Sequence, residues 1–236
     1  MSNLVLASYF TGTKDPQRDI IWDSNPAPLM PLIDSVTAEG IDIVILHDCF
    51  DAVPSLPHCQ WFRVDDDLTG VYSASVLRWF RYRSYLTALS TPPQQLFMVD
   101  STDVIMLSNP FPHINPNTLY CGDEAKMAVG CKWLRKKARR FVAPDFNTVI
   151  EPFQHHRMLN AGLVGGDGPT CQQFLAYLTD YHRQYNTITD ASDTLDMPAF
   201  NYTVWKHFSD RLVHGDPVNT EFTKNQVDRT RWWKHK

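Results

Sequence analysis

Hydrophobic and polar positions along this chain follow two periods. Short runs dense in β-branched and aliphatic residues predict strands: NLVLASYF (3–10), IDIVILHD (41–48), QWFRVD (60–65) and QLFMVD (95–100). IDIVILHD is almost continuously apolar, which predicts burial on both faces. Helical spacing runs through APLMPLIDSVTAEG (27–40), stopped by Gly40, and SASVLRWFRYRSYLTALS (73–90), ended by Pro92 and Pro93. Further strands are expected at DVIML (103–107), TLYCGDE (118–124) and LNAGLVGG (159–166), and further helices over about 126–141, 170–183 and 196–208. This alternation predicts an α/β fold with a predominantly parallel central sheet and helices on both faces. Ligands of such sheets bind beyond the carboxyl ends of the strands.

One stretch, FMVDSTDVIML (97–107), interrupts the pattern with Asp100 and Asp103. Carboxylates inside a buried run are costly unless something pairs with them. Turn chemistry is one account, since Asp, Ser and Thr end strands through side-chain-to-backbone hydrogen bonds. The other is a divalent ion: Mn²⁺ and Mg²⁺ take carboxylate oxygens together with phosphate. No GxxxxGK[ST] or GxGxxG stretch occurs, so diphosphate bound here would be held through a metal rather than a glycine-rich loop.

With 236 residues and 43% hydrophobic composition, the chain has the means to bury a sizeable core, which excludes a disordered polypeptide. A body spanning 1–228 and a basic, aromatic tail, RTRWWKHK (229–236), are expected. The net charge of −4 hides one local excess: KWLRKKARR, Lys132–Arg140, holds six of the 22 Lys and Arg residues. Such a run reads as a solvated face or as a site for a polyanion, either a nucleic acid such as DNA or an anionic membrane surface, with the tail's two tryptophans adding to it. Five cysteines without a CxxC argue against a zinc cluster or a disulfide framework and for reduced thiols in a cytoplasmic setting. No apolar run approaches the roughly 18 residues of a transmembrane helix, and MSNLVLASYF lacks the features of a signal peptide.

The stretch LFMVDSTDVIML resembles the DxD-type segment of GT-A fold glycosyltransferases, glycogenin-like and related enzymes that bind nucleotide-diphosphate sugars through a divalent ion. Three later segments extend the resemblance in family order: LNAGLVGGD (159–167), DMPAFN (196–201) and VHGDPVNTEFTK (213–224). The resemblance implies a single GT-A (Rossmann-like) domain and transfer of a hexose, from a UDP-hexose first of all, to an acceptor that is a modified nucleic-acid base, a protein, a lipid or a glycan. Asp100, Asp103 and His214 become the implied ligands of Mn²⁺ or Mg²⁺. Tyr9, Phe10 and Thr11 fall where the family binds the base, and Arg78 and Arg81 fall near the phosphates. Asn160, Ala161 and Gly162 lie near the donor sugar, with Asp100 also near the nucleotide. Asp196 and Asn201 are the implied catalytic pair, although Asp196 also stands where a helix N-cap is expected. Met197 replaces the family's glutamine, so inversion or retention stays open. Competing readings are a nucleotidyltransferase or nucleotide-sugar hydrolase on a similar sheet, and a catalytically silent sugar-nucleotide-binding module.

Overall fold

The computed structural model describes residues 3–12, 20–64, 71–186, 196–219 and 228–235. Nine strands are described: β1 (Asn3–Tyr9), β2 (Asp42–His47), β3 (Cys59–Arg63), β4 (Gln95–Val99), β5 (Val104–Met106), β6 (Leu119–Ala128), β7 (Arg157–Asp167), β8 (Leu212–His214) and β9 (Trp233–His235). The α-helices are α1 (Met30–Thr37), α2 (Ala74–Ala88), α3 (Lys132–Ala138), α4 (Phe146–Ile150), α5 (Gly168–Tyr185) and α6 (Met197–His207). Seven strands form one sheet in the order β3-β2-β1-β4-β7-β6-β8. Six share one direction, while β7 runs antiparallel to both β4 and β6, so the sheet is mixed but mostly parallel.

The expected alternation is visible residue by residue. Leu4, Leu6, Val44, Leu46, Leu96 and Met98 pack into one core with residues of α2, α5 and α6. Val5, Ala7, Ile43, Ile45, Phe97 and Val99 turn to the other face, against α1 and the β5–β9 ribbon. Both faces of the central strands are therefore dry, which is why their sequences are continuously apolar. Burying each of these Val, Leu, Ile, Phe or Met side chains stabilises the fold by about 1.5–3 kcal/mol. None of the described helices is long and apolar enough to cross a membrane.

Two expectations are corrected here. The stretch from 126 does not enter a helix at once: β6 continues to Ala128, and α3 begins only after Cys131, whose Sγ accepts from the Leu134 N–H. The segment from 229 is not a separate tail. Trp232 and Trp233 are buried, Trp233 completely, and pack on Phe97 and Tyr120. Two large aromatic surfaces gain more by joining the core than by waiting in solvent for a base or a lipid. β9 then pairs antiparallel with β5, setting Trp233 opposite Met106 and His235 opposite Val104.

Candidate active site and metal centre

β1 and β4 are neighbours in space, but their chain connections lead to opposite sides of the sheet, and the crevice beyond their carboxyl ends is open. A cavity of about 500 Å³ lies there, lined by Tyr9 and Phe10 from the end of β1 and by Asp100–Asp103 after β4. Because β7 runs the other way, its first half reaches the same edge and adds Asn160, Ala161 and Gly162. Glu124 from β6, Arg78 from α2, Asp196 and Met197 at the start of α6, and His235 from β9 complete the polar wall.

Asp100, Asp103 and His235 each offer one ligand atom, and these atoms lie within 4.8 Å of one another. His235 Nε2 is 3.6 Å from Asp100 Oδ2 and 3.8 Å from Asp103 Oδ1, too long for hydrogen bonds. Two ligands of one ion at about 2.1 Å lie roughly 3.0 Å apart when adjacent and 4.2 Å apart when opposite, so these spacings fit a shared ion. Two hard carboxylates and an imidazole suit Mn²⁺ somewhat better than Mg²⁺. Gly162 permits the close approach: a Cβ there would stand 2.4 Å from both Asp100 Oδ2 and His235 Cε1. The Asp100 N–H also donates to the Gly162 carbonyl (2.8 Å), locking the two backbones together.

Arg78 organises the other side of Asp100. It is only 8% exposed, and its guanidinium donates to Asp100 Oδ1, to the Ala161 carbonyl (3.0 Å) and to Asp196 Oδ2 (2.6 Å). Burial alone would lower the Arg78 pKa, yet the Asp100 and Asp196 carboxylates hold it above its ordinary value. For Asp100, burial opposes ionisation but is overridden by Arg78 and His235, so its carboxyl stays well below the usual range. Asp196, 1% exposed, behaves differently: burial raises its pKa despite Arg78. Its side chain makes no N-cap hydrogen bond to α6, so helix capping does not account for it. Glu124 likewise has a pKa raised by burial, opposed by His235 and by the Asn160 amide, which donates to Glu124 Oε1 at 2.6 Å. Asn160 Oδ1 in turn accepts from the Gly162 N–H at 2.7 Å. Four carboxyl groups thus share the cavity wall with the Arg78 guanidinium and the His235 imidazole, an excess of acidic groups that a bound cation would offset.

Several residues singled out from the sequence lie elsewhere. His214, on edge strand β8, does not line the cavity; its Nδ1 is 2.7 Å from Asp123 Oδ1, and His235 stands where His214 was expected. The sheet order explains this, because β7 and β6 lie between β8 and β4. Asn201 is fully buried behind the site. Its Oδ1 accepts from the Leu159 N–H, and its Nδ2 donates to the Leu159 and Met197 carbonyls, so it ties α6 to β7 and acts as a positioning residue. Thr11 fastens the loop after β1 to Asp48, its N–H donating at 2.9 Å. Arg81 does not line the cavity, unlike Arg78 three residues earlier. By contrast, Asn160 and Gly162 sit inside β7, within the strand expected over 159–166, and line the cavity. Sequence reasoning passed over Glu124, although it ends an expected strand as Asp100 does, and over His235, which no local motif marks.

No protein-family model matches the chain, and a comparison with curated proteins finds no match. The site's own chemistry therefore carries the functional argument.

Proposed function

We propose that the protein is a metal-dependent glycosyltransferase of GT-A type that moves a sugar from a nucleotide diphosphate to an acceptor hydroxyl. The observation that carries this reading is the Asp100–Asp103–His235 cluster, set within 4.8 Å at the ligand-binding edge of a mostly parallel sheet. The resemblances around Asp100, Asn160 and Asp196 support it, since three segments far apart in sequence meet on one cavity.

Asp100, Asp103 and His235 would hold the ion, with Arg78 fixing the Asp100 carboxylate so that Oδ2 faces it. When bound, a divalent ion supplies a Lewis acid that neutralises charge growing on the departing diphosphate. Tyr9, Phe10 and Trp22 form an apolar wall for the nucleotide, Tyr9 being stacked on Phe50 at 5.5 Å. In the transfer, the bond from the anomeric carbon to the diphosphate oxygen breaks, and its electron pair leaves with the nucleotide. The acceptor oxygen bonds to that carbon, and its proton passes to a cavity carboxylate. Asp196 and Glu124 suit that last role because burial moves both pKa values toward neutrality.

The test is a thermal-shift screen of nucleotide sugars with Mn²⁺ or Mg²⁺. A ligand at 100 times its Kd stabilises the fold by about 2.7 kcal/mol. The expected result is a donor-specific shift that needs the ion and disappears with chelator. Indifference to every donor in the presence of ion would sink the proposal.

A further inference from the structure

The basic run Lys132–Arg140 is not explained by helix stability. Positive charge near the end of a helix is favourable by about 0.3–1 kcal/mol per residue, which accounts for Arg135–Lys137 in the last turn of α3. It does not account for Lys132 in the first turn, where the helix dipole opposes a cation. Leu134 and Ala138 turn inward to the core, while Lys132, Arg135, Lys136, Arg139 and Arg140 are exposed. Their spacing of three and four places them on one stripe. From Lys132 to Arg139 it is roughly 10 Å long, which at about 3.4 Å per charge faces about four phosphates of one strand. Among the described residues, no carboxylate pairs with Lys132, Arg135, Lys136 or Arg139.

Trp133 joins this stripe to the cavity. It lines the cavity, yet it is 36% exposed, and among the described residues no other ring packs on it. Most tryptophans of this chain are spent inside the core, as Trp79, Trp205, Trp232 and Trp233 are, so an indole left at the rim beside a cationic stripe is a specific arrangement. Indole faces stack on nucleobases, worth about 1–3 kcal/mol per base.

We infer that α3 and Trp133 dock a single-stranded nucleic acid, which presents a ribose or base-borne hydroxyl to the cavity as the acceptor; this rests on the glycosyl-transfer reading above. A membrane surface fits less well. An interfacial helix inserts an apolar face, whereas α3 buries its apolar residues and exposes only Trp133 among its cations.

The test uses the full chain with fluorescein-labelled 12-nucleotide single strands, DNA and RNA in separate arms, read by anisotropy from 50 to 200 mM KCl. About four neutralised phosphates give a log–log slope near −2.8, or roughly a 50-fold loss of affinity over that range. The triple variant Arg135→Gln, Lys136→Gln, Arg139→Gln should flatten the slope to about −0.7. Trp133→Ala should weaken binding about tenfold without changing the slope. Absent or salt-insensitive binding, or an unaltered triple variant, overturns the inference. So does retention on anionic phospholipid vesicles that oligonucleotides fail to displace. The Mn²⁺-dependent donor shift, measured on the unmutated chain, separates the two ideas: its persistence where strand binding fails rejects only the docking surface.

Discussion

Gly162 and Gly165 lie on the same strand, yet adding one methyl group at each should have different consequences. At Gly162, the new Cβ would overlap Asp100 Oδ2 and His235 Cε1, both at 2.4 Å. Asp100 has little room to yield because Arg78 and the Gly162 carbonyl already hold it. A contact of about 3.3 Å is needed, so a ligand must move by nearly 1 Å, about twice the tolerance of a preorganised site. Gly162→Ala should therefore cost about 1–2 kcal/mol in stability, a fall in Tm of roughly 3–6 °C, and lower Mn²⁺ affinity 10- to 100-fold. At Gly165, the Cβ would instead strike the Phe97 ring at 2.3–2.5 Å, on the sheet face turned to the other core. Gly165→Ala should cost as much stability or more but leave Mn²⁺ affinity within about twofold. Calorimetric titration with Mn²⁺ and urea melts of both variants give the comparison. Equal Mn²⁺ affinity in Gly162→Ala and the parent protein would refute the metal centre as drawn.

Three further outcomes are expected. His235→Gln should abolish Mn²⁺-dependent stabilisation, whereas His214→Gln, which loses its contact with Asp123 and its ring packing on Trp205 and His156 but touches none of the cluster, should keep it; thermal shifts with and without the ion decide between them. Arg78→Met leaves Asp100 and Asp196 without their shared counter-charge and should cost about 3–5 kcal/mol in urea unfolding at pH 7. That cost should shrink in acid, as the two carboxyls protonate. His182 is fully buried, and burial lowers its pKa to about 3, below the 6.5 of an exposed imidazole. The unfolded chain takes up that proton first, so this contribution to stability is complete above about pH 6.5 and is lost as the pH falls toward 3. Between pH 6.5 and 4 the loss is about 3 kcal/mol, and His182→Leu should remove that share from urea midpoints measured across the range.

Much of this fold could be read from local pattern, because the central strands are buried on both sides and their apolar runs have no competing period. β2 and β4 fall within a residue or two of IDIVILHD and QLFMVD, and α2 fills the helix expected between Ser73 and Ser90. Asp100 was legible for the same reason: a charge at the end of such a run must meet something. Tertiary pairing was not legible. DVIML looks like one more strand of the central sheet, but β5 instead forms a ribbon with β9, and that ribbon brings in His235. His214 follows the expected motif order, but strand order along the chain differs from strand order in space. Asn201 fails on helical geometry: five residues after Asp196 it is turned about 140° around α6, facing β7 rather than the cavity.

The ribbon that delivers His235 also bears on how the molecule assembles. Asp103 and His235 are separated by more than half the chain, so an ion shared between them closes a very long loop. Closing that loop carries an entropy cost that only the intervening strands and helices, once folded, can meet. Until β9 pairs with β5, the cluster lacks one of its three candidate ligands. On the proposed reading, ion uptake requires β9 to be docked on β5, and following it in time during refolding should report that step.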